Sequence, residues 1–163
     1  MNVNKVKSLA KINLALHVTG KHIKLHKIES IIKFIKLHDL ITIKKINSKK
    51  HNISFNGPFS QNINKSNTVN RLFNILDKQK LLNNKKFQIN IKKNIPQQAG
   101  LGGGSMNAAN ILNFLIKKKF LRLNQKKILE ITGLIGSDVI LGINPINTIL
   151  SSNNKIKKFS KSL

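Results

Sequence analysis

Short stretches in which apolar and polar residues alternate dominate the first half of the chain. This alternation, with many β-branched residues, predicts strands over Lys5–Val18, Ile28–Leu37 and Asp39–Ile46. A turn is expected at His38–Asp39, between the second and third of these stretches, and His51–Phe55 is a further short strand candidate. The first half of the chain is therefore predicted to be mostly β-sheet.

Apolar residues adopt a helical period in much of the second half. A helix is expected after an N-cap at Ser66 or Asn67, and its buried side would carry Val69, Leu72 and Leu76. The further elements predicted are a strand over 87–91, helices over 105–118 and 124–135, a turn over 136–139 and a last strand over 147–150. This order favours an α+β fold, with one domain over residues 1–150 and a tail rich in Lys, Ser and Asn over 151–163.

Length and composition limit the class of protein. A chain of 163 residues can form one domain with a real core, and the absence of cysteine excludes disulfides and thiolate metal sites. Residues 1–11 do not resemble a signal peptide, and no apolar stretch approaches the roughly 20 residues that span a bilayer. We therefore expect a cytoplasmic protein with no membrane partner.

The strong positive charge invites a nucleic-acid interpretation that the residue pattern does not favour. Lysine and arginine number 30 against five acids, for a formal net charge of +25. Only Arg71 and Arg122 are arginines, the lysines are spread along the chain, and few aromatic residues are present for stacking on bases. We interpret the charge as compositional bias of an A+T-rich genome, and nucleic acid is not the expected partner.

A glycine-rich segment before the second predicted helix is the most informative motif. The segment consists of Pro96, Gln97, Gln98, Ala99, Gly100, Leu101, Gly102, Gly103, Gly104, Ser105 and Met106. Glycine lets a backbone approach a ligand closely, and the helix that follows offers unpaired N–H groups and the positive end of its dipole. We expect this segment to hold an anion, most simply a phosphate; the alternative is a flexible turn before a helix.

The five acids can be judged one by one. Glu29, Asp39, Asp77 and Glu130 are expected to have solvated structural roles. Asp138 lies in a Gly-Ser-Asp-Val turn between apolar segments, where a carboxylate near a phosphate could accept a proton or help to hold Mg²⁺. The alternative for Asp138 is a capping or turn residue. His26 is the one histidine that we single out, and no group of residues has metal-ligand spacing, so no metal site is predicted.

Four motifs together resemble a known family of small-molecule kinases. They are Ala10-Lys11-Ile12-Asn13-Leu14, Val18-Thr19-Gly20, the run from Pro96 to Ala109, and Gly136-Ser137-Asp138-Val139. Their order and spacing resemble the 4-diphosphocytidyl-2-C-methyl-D-erythritol kinases, a family of the GHMP kinase superfamily. The resemblance extends from about Ser8 to Leu150. A Walker A motif and the protein-kinase motifs are absent.

The resemblance implies a fold, a reaction and a set of site residues. The fold would be the N-terminal domain of the GHMP kinases, which is also seen in a ribosomal protein domain. ATP, with Mg²⁺, would donate its γ-phosphoryl group to a hydroxyl of the cytidine diphosphate methylerythritol substrate in the non-mevalonate route to isoprenoids. Lys11 and Asp138 would be the catalytic pair, Pro96–Met106 would bind ATP, and Asn13 and His26 would contact the substrate.

The sequence also departs from the family pattern, which leaves two alternatives open. Lys24-Leu25-His26 replaces a segment that carries a tyrosine in the family, Met106 replaces a serine, and Gln98 replaces a small residue. The family's C-terminal domain has no counterpart here, so the domain is expected to be absent or supplied as a separate half. The alternatives to a working kinase are an inactive remnant and a basic RNA-binding protein.

Overall fold

The structure of the protein is a computed structural model. It describes the backbone of residues 3–21, 26–150 and 156–158, and the side chains of residues 3–18, 20 and 29–149. Among the described residues, no helix combines the length and the apolar character that crossing a bilayer requires.

One mixed sheet forms the framework of the fold. Its strands are β1 (Asn4–Lys21), β2 (His26–Ile46), β3 (Asn52–Asn56), β4 (Lys86–Lys92), β5 (Thr148–Leu150) and β6 (Ile156–Lys158). The order is β3-β4-β2-β5-β6, and β1 pairs with β2. The β3–β4 pair is parallel, and the other pairs are antiparallel. The short β6 lies in the segment that the sequence analysis assigned to a tail, so these three residues extend the sheet.

Helices pack on the sheet and supply the other half of the core. They are α1 (Thr68–Lys78), α2 (Gly103–Lys117), α3 (Gln125–Ile135) and α4 (Val139–Ile143). Asn67 caps α1, because its side chain accepts hydrogen bonds from the backbone N–H groups of Val69 and Asn70. The predicted α+β class is confirmed, and α4 adds a short helix that was not predicted and that begins at the last residue of the turn predicted over 136–139.

The core follows the predicted alternation on the strands. Ile41 and Ile43 on β2, with Phe87, Ile89 and Ile91 on β4, are buried because these alternate positions face the helices. The helices contribute their apolar sides to the same cluster, with Leu72, Leu76, Ile111, Leu112 and Leu115 fully buried.

The turn predicted at His38–Asp39 is wrong. These residues belong to the continuous strand β2, and the register shifts between Leu9 and Ala10 on the neighbouring strand. This bulge places two extra β2 residues opposite that step, so the break in alternation is absorbed without ending the strand. The expected solvated role of Asp39 is wrong as well, because the residue is fully buried.

A histidine is buried on the side of the core near β3. The Nδ1 atom of His51 accepts a hydrogen bond of 3.1 Å from the backbone N–H of Phe87, and its Nε2 atom lies 3.3 Å from Oδ1 of Asp77. This arrangement requires the neutral ring with its proton on Nε2. Burial lowers the pKa of His51 below its ordinary value of 6.5, and Asp77 offsets that effect only in part.

The stability of the protein is therefore expected to fall as the pH is lowered through 6.5. The unfolded chain binds a proton at His51 more readily than the folded chain, so acidification favours unfolding by up to about 1.4 kcal/mol per pH unit. Thermal unfolding followed by circular dichroism between pH 7.5 and 5.5 measures this slope. The slope should decrease in His51→Asn and should persist in the exposed control His17→Asn; an equal slope in all three proteins contradicts the prediction.

Candidate active site

The glycine-rich segment forms a loop between β4 and α2 whose backbone depends on glycine. Gly100 and Gly102 have φ angles of 72° and 67°, in the left-handed region that glycine favours. Gly102 is the N-cap residue of α2 and has no side chain with which to cap the helix. The N–H groups of the first turn are therefore left to a ligand, and an anion suits them best.

This loop lines a cavity of about 330 Å³. Its lining includes residues 96–105 and the apolar residues Phe55, Ile63 and Val69. The Thr68 hydroxyl donates a hydrogen bond of 2.6 Å to the carbonyl of Gly104, which ties the start of α1 to the start of α2. The cavity thus combines backbone N–H groups with an apolar wall, a combination that can hold phosphates and a ring system.

Lys11 and Asp138 meet beside the loop. The Nζ atom of Lys11 lies 3.4 Å from Oδ2 of Asp138 and donates a hydrogen bond of 2.9 Å to Oδ1 of Asn13. The side chain of Lys11 is 9% exposed, whereas that of Asp138 is 41% exposed. The ammonium group is therefore held in place within the protein, and the carboxylate remains accessible to a substrate.

The β1 strand and the loop hold Lys11 from two directions. The backbone N–H of Lys11 donates a hydrogen bond of 3.0 Å to the carbonyl of Leu101. The aliphatic stem of Lys11 passes over Gly102, where an added Cβ would lie only 2.8 Å from its Cγ. The absence of a side chain at Gly102 is therefore what allows the lysine to lie against the loop.

Close packing of α4 on α2 places Asp138. Asp138 occupies the N-cap position of α4, and its side chain makes no capping hydrogen bond. Gly142 lies so close to α2 that an added Cβ would come within 2.6 Å of Cβ of Ala109. The side-chain amide of Asn113 also donates a hydrogen bond of 3.0 Å to the carbonyl of Gly142. These contacts fix the helix whose start presents the carboxylate.

The structure brings most of the predicted site residues together. Lys11 contacts both Asn13 and Asp138, and residues 96–105 line the adjacent cavity. Met106 instead turns away from the cavity and packs in a buried cluster with Ile32 and Leu141. The backbone of His26 begins β2, and its side chain lies outside the described part of the structure. The functional roles of these residues stay predictions.

Sequence reasoning missed three buried polar residues next to the loop. Asp39, Lys93 and Asn107 are all buried and hydrogen bonded to one another through the carboxylate of Asp39. Asp39 and Lys93 continue the rows of buried residues on β2 and β4. Extending the alternation by one step on each strand would have indicated a buried ion pair.

Comparisons with known proteins agree with this architecture. Residues 67–147 match the family described as the GHMP kinases N terminal domain. The chain is 59% identical over 163 residues to the 4-diphosphocytidyl-2-C-methyl-D-erythritol kinase of Pelagibacter ubique (strain HTCC1062), covering 100% of this chain and 58% of that protein. The kinase of the same name from Clostridioides difficile (strain 630) is 37% identical over 143 residues, which are 85% of this chain and 47% of that protein.

The fold also matches a solved structure. A crystal structure of 4-(cytidine 5'-diphospho)-2C-methyl-D-erythritol kinase superposes with a TM-score of 0.77 and 22% identity, covering 96% of this chain and 55% of that one. At that identity the match establishes the fold alone. The chain spans about half the length of the curated relatives that it matches. These matches, together with the loop geometry, show that the chain belongs to the GHMP kinases and corresponds to their N-terminal domain.

Proposed function

We propose that this chain is the nucleotide-binding domain of a kinase that phosphorylates a hydroxyl of 4-diphosphocytidyl-2-C-methyl-D-erythritol with ATP. The observation that carries the proposal is the 3.4 Å approach of Lys11 Nζ to Asp138 Oδ2 beside the glycine-rich loop. The names of the relatives from Pelagibacter and Clostridioides supply the substrate. The reaction belongs to the non-mevalonate route to isoprenoids.

The glycine-rich loop and the pair formed by Lys11 and Asp138 have different roles in the reaction. The N–H groups of the loop and of the first turn of α2 hold the phosphates of ATP and stabilise their charge. Asp138 accepts the proton of the substrate hydroxyl, and the resulting oxygen bonds to the γ-phosphorus while the bond from that phosphorus to the β–γ bridging oxygen breaks. ADP leaves with the electron pair of that bond. Lys11 holds the carboxylate in position and offsets negative charge.

The remaining assignments rest on the resemblance to the 4-diphosphocytidyl-2-C-methyl-D-erythritol kinases. Asn13 accepts a hydrogen bond from the ammonium of Lys11 and is assigned to the substrate, and His26 is assigned to the cytidine end of the substrate. No cluster of three metal-ligating side chains occurs among the described residues, and Mg²⁺ bound to ATP requires none, because phosphates and water supply most of its ligands. The hydroxyl of Ser105, a residue that lines the cavity, is an oxygen ligand that this domain would offer to Mg²⁺.

An ADP-release assay with ATP, Mg²⁺ and 4-diphosphocytidyl-2-C-methyl-D-erythritol tests the proposal. Because the relatives are longer than this chain, the chain is assayed both by itself and together with the remaining part of the Pelagibacter kinase, added as a separate polypeptide. Turnover in either arm that disappears in Lys11→Ala supports the proposal. Absence of turnover above that variant in both arms contradicts it.

Binding measurements distinguish the two alternatives. ATP at about 100 times its dissociation constant should stabilise the folded protein by roughly 2.7 kcal/mol, and no stabilisation is the result expected of an inactive remnant. An RNA-binding protein would instead bind RNA with an affinity that falls steeply with salt concentration. Stabilisation by ATP without such RNA binding therefore favours the kinase.

A further inference from the structure

One buried carboxylate collects hydrogen bonds from four donors near the loop. The Oδ1 atom of Asp39 accepts from the backbone N–H groups of Asn94 at 2.8 Å and Ile95 at 2.9 Å. The Oδ2 atom accepts from the side-chain amide of Asn107 at 2.8 Å and from the ammonium of Lys93. Asp39 is fully buried and Lys93 is 4% exposed, so water does not compete for these bonds.

The four donors lie at the two ends of the glycine-rich loop. Asn94 and Ile95 come directly before Pro96, where the loop begins. Asn107 lies in the second turn of α2, just after the loop ends. One side chain on β2 therefore connects the end of β4 to the start of α2 across the base of the loop.

Lys93 also packs closely against Gly103 in the first turn of α2. A Cβ added to Gly103 would lie 3.2 Å from Nζ of Lys93 and 3.1 Å from Cγ2 of Ile95. Lys93 and Asn107 both line the cavity that the loop surrounds. Lys93 and Asn107 thus form part of the wall of the proposed nucleotide site, and the fully buried carboxylate of Asp39 pairs with the ammonium of Lys93.

We infer that Asp39 is a positioning residue, which holds the glycine-rich loop in its ligand-binding conformation before the nucleotide arrives. The inference rests on the proposed function for the identity of the ligand. A loop that is already ordered loses less conformational entropy on binding, so affinity for ATP rises without any contact between Asp39 and ATP. Charge-assisted hydrogen bonds in a buried site are strong enough to impose this order.

Hydrogen–deuterium exchange without nucleotide tests the positioning role independently of the proposed function. In Asp39→Asn, the backbone amides of residues 97–106 should exchange at least about tenfold faster than in the wild type, because the loop loses a charge-assisted hydrogen bond that holds it closed to exchange. The amides of 72–76, in the core of α1, should exchange at an unchanged rate. Equal acceleration of both segments would mean general destabilisation and would overturn the inference.

Steady-state kinetics supply a second measurement, because the inference predicts different effects on KM for ATP and on kcat. The KM for ATP should rise about tenfold in Asp39→Asn, and kcat at saturating ATP should stay within about twofold, because the loop is disordered only before binding. A fall in kcat with an unchanged KM contradicts the inference. If the wild-type protein neither binds nor turns over ATP, the proposed function fails, and the exchange comparison still decides the positioning role.

Two further variants keep the test decisive. Asp77→Asn removes the same charge from a carboxylate that pairs with Lys86 and His51, and it should leave the loop amides unchanged. Asn107→Ala preserves the ion pair of Asp39 with Lys93 and removes only the connection to α2. If Asp39→Asn does not fold, faster exchange of 100–106 in Asn107→Ala supports the inference, and wild-type exchange there overturns it.

Discussion

Asp138→Asn is expected to reduce the rate of phosphoryl transfer by about 10²–10⁴-fold, the usual contribution of a positioned general base. The amide keeps the size of the side chain but cannot accept the proton of the substrate hydroxyl. Lys11→Met should lower the rate by a similar factor. It preserves the apolar stem that packs against Gly102 and removes the ammonium 3.4 Å from the carboxylate. Steady-state kinetics at saturating ATP measure both effects.

The combination of the two substitutions and a matched control makes this prediction specific. Because the two groups act as a unit, the double variant should lose little more activity than either single variant. Lys7→Met removes a charge from an exposed lysine on the same strand and should leave the rate unchanged. Strictly multiplicative losses in the double variant, or a comparable loss in Lys7→Met, would contradict the assignment of Lys11 and Asp138 as a catalytic pair.

Gly102→Ala is expected to abolish ATP binding and to displace Lys11. The substitution places a side chain at a φ angle of 67°, which costs about 1–2 kcal/mol. The added Cβ would also lie 2.8 Å from Cγ and 3.1 Å from Cε of Lys11. The lysine or the loop must therefore move, and either movement separates the ammonium from Asp138. Isothermal titration with ATP and the ADP-release assay measure the two consequences.

Gly100→Ala provides the matched control for this prediction. Gly100 has a φ angle of 72°, but an added Cβ there meets nothing within 4 Å. Gly100→Ala therefore introduces the same backbone strain without the collision, and it should weaken ATP binding by only about tenfold. Equal losses in the two variants would show that backbone strain, rather than the approach of Lys11, determines the requirement for glycine.

Local patterns predicted the elements that bury one face. The strand at Phe87–Ile91 and the helix after Asn67 were predicted because burial repeats every second residue in the former and with the helical period in the latter. The turn at His38–Asp39 was wrong because a bulge, which depends on the neighbouring strand, continues β2 through an interrupted pattern. The five-residue helix α4 is too short to show a period of its own.

Local sequence patterns predicted only part of the candidate site. The sequence indicated the loop as an anion site, since glycines before a helix have a local physical meaning. The contact between Lys11 and Asp138 joins distant parts of the chain, so it came from the resemblance to known kinases rather than from a local pattern. Asp39 was predicted to be solvated because it is charged. Its position two residues before Ile41, in the alternating row of buried residues that also contains Ile43, was not taken into account.

The contact between Gly142 and Ala109 has a consequence for how homologous sequences can diverge. With 2.6 Å between a Cβ at 142 and that of Ala109, the two positions share the space of a single methyl group. A larger residue at either one would push α4 outward and carry the carboxylate away from its lysine, although neither position touches a substrate. Among active homologues, a side chain at position 142 should therefore occur only together with glycine at position 109.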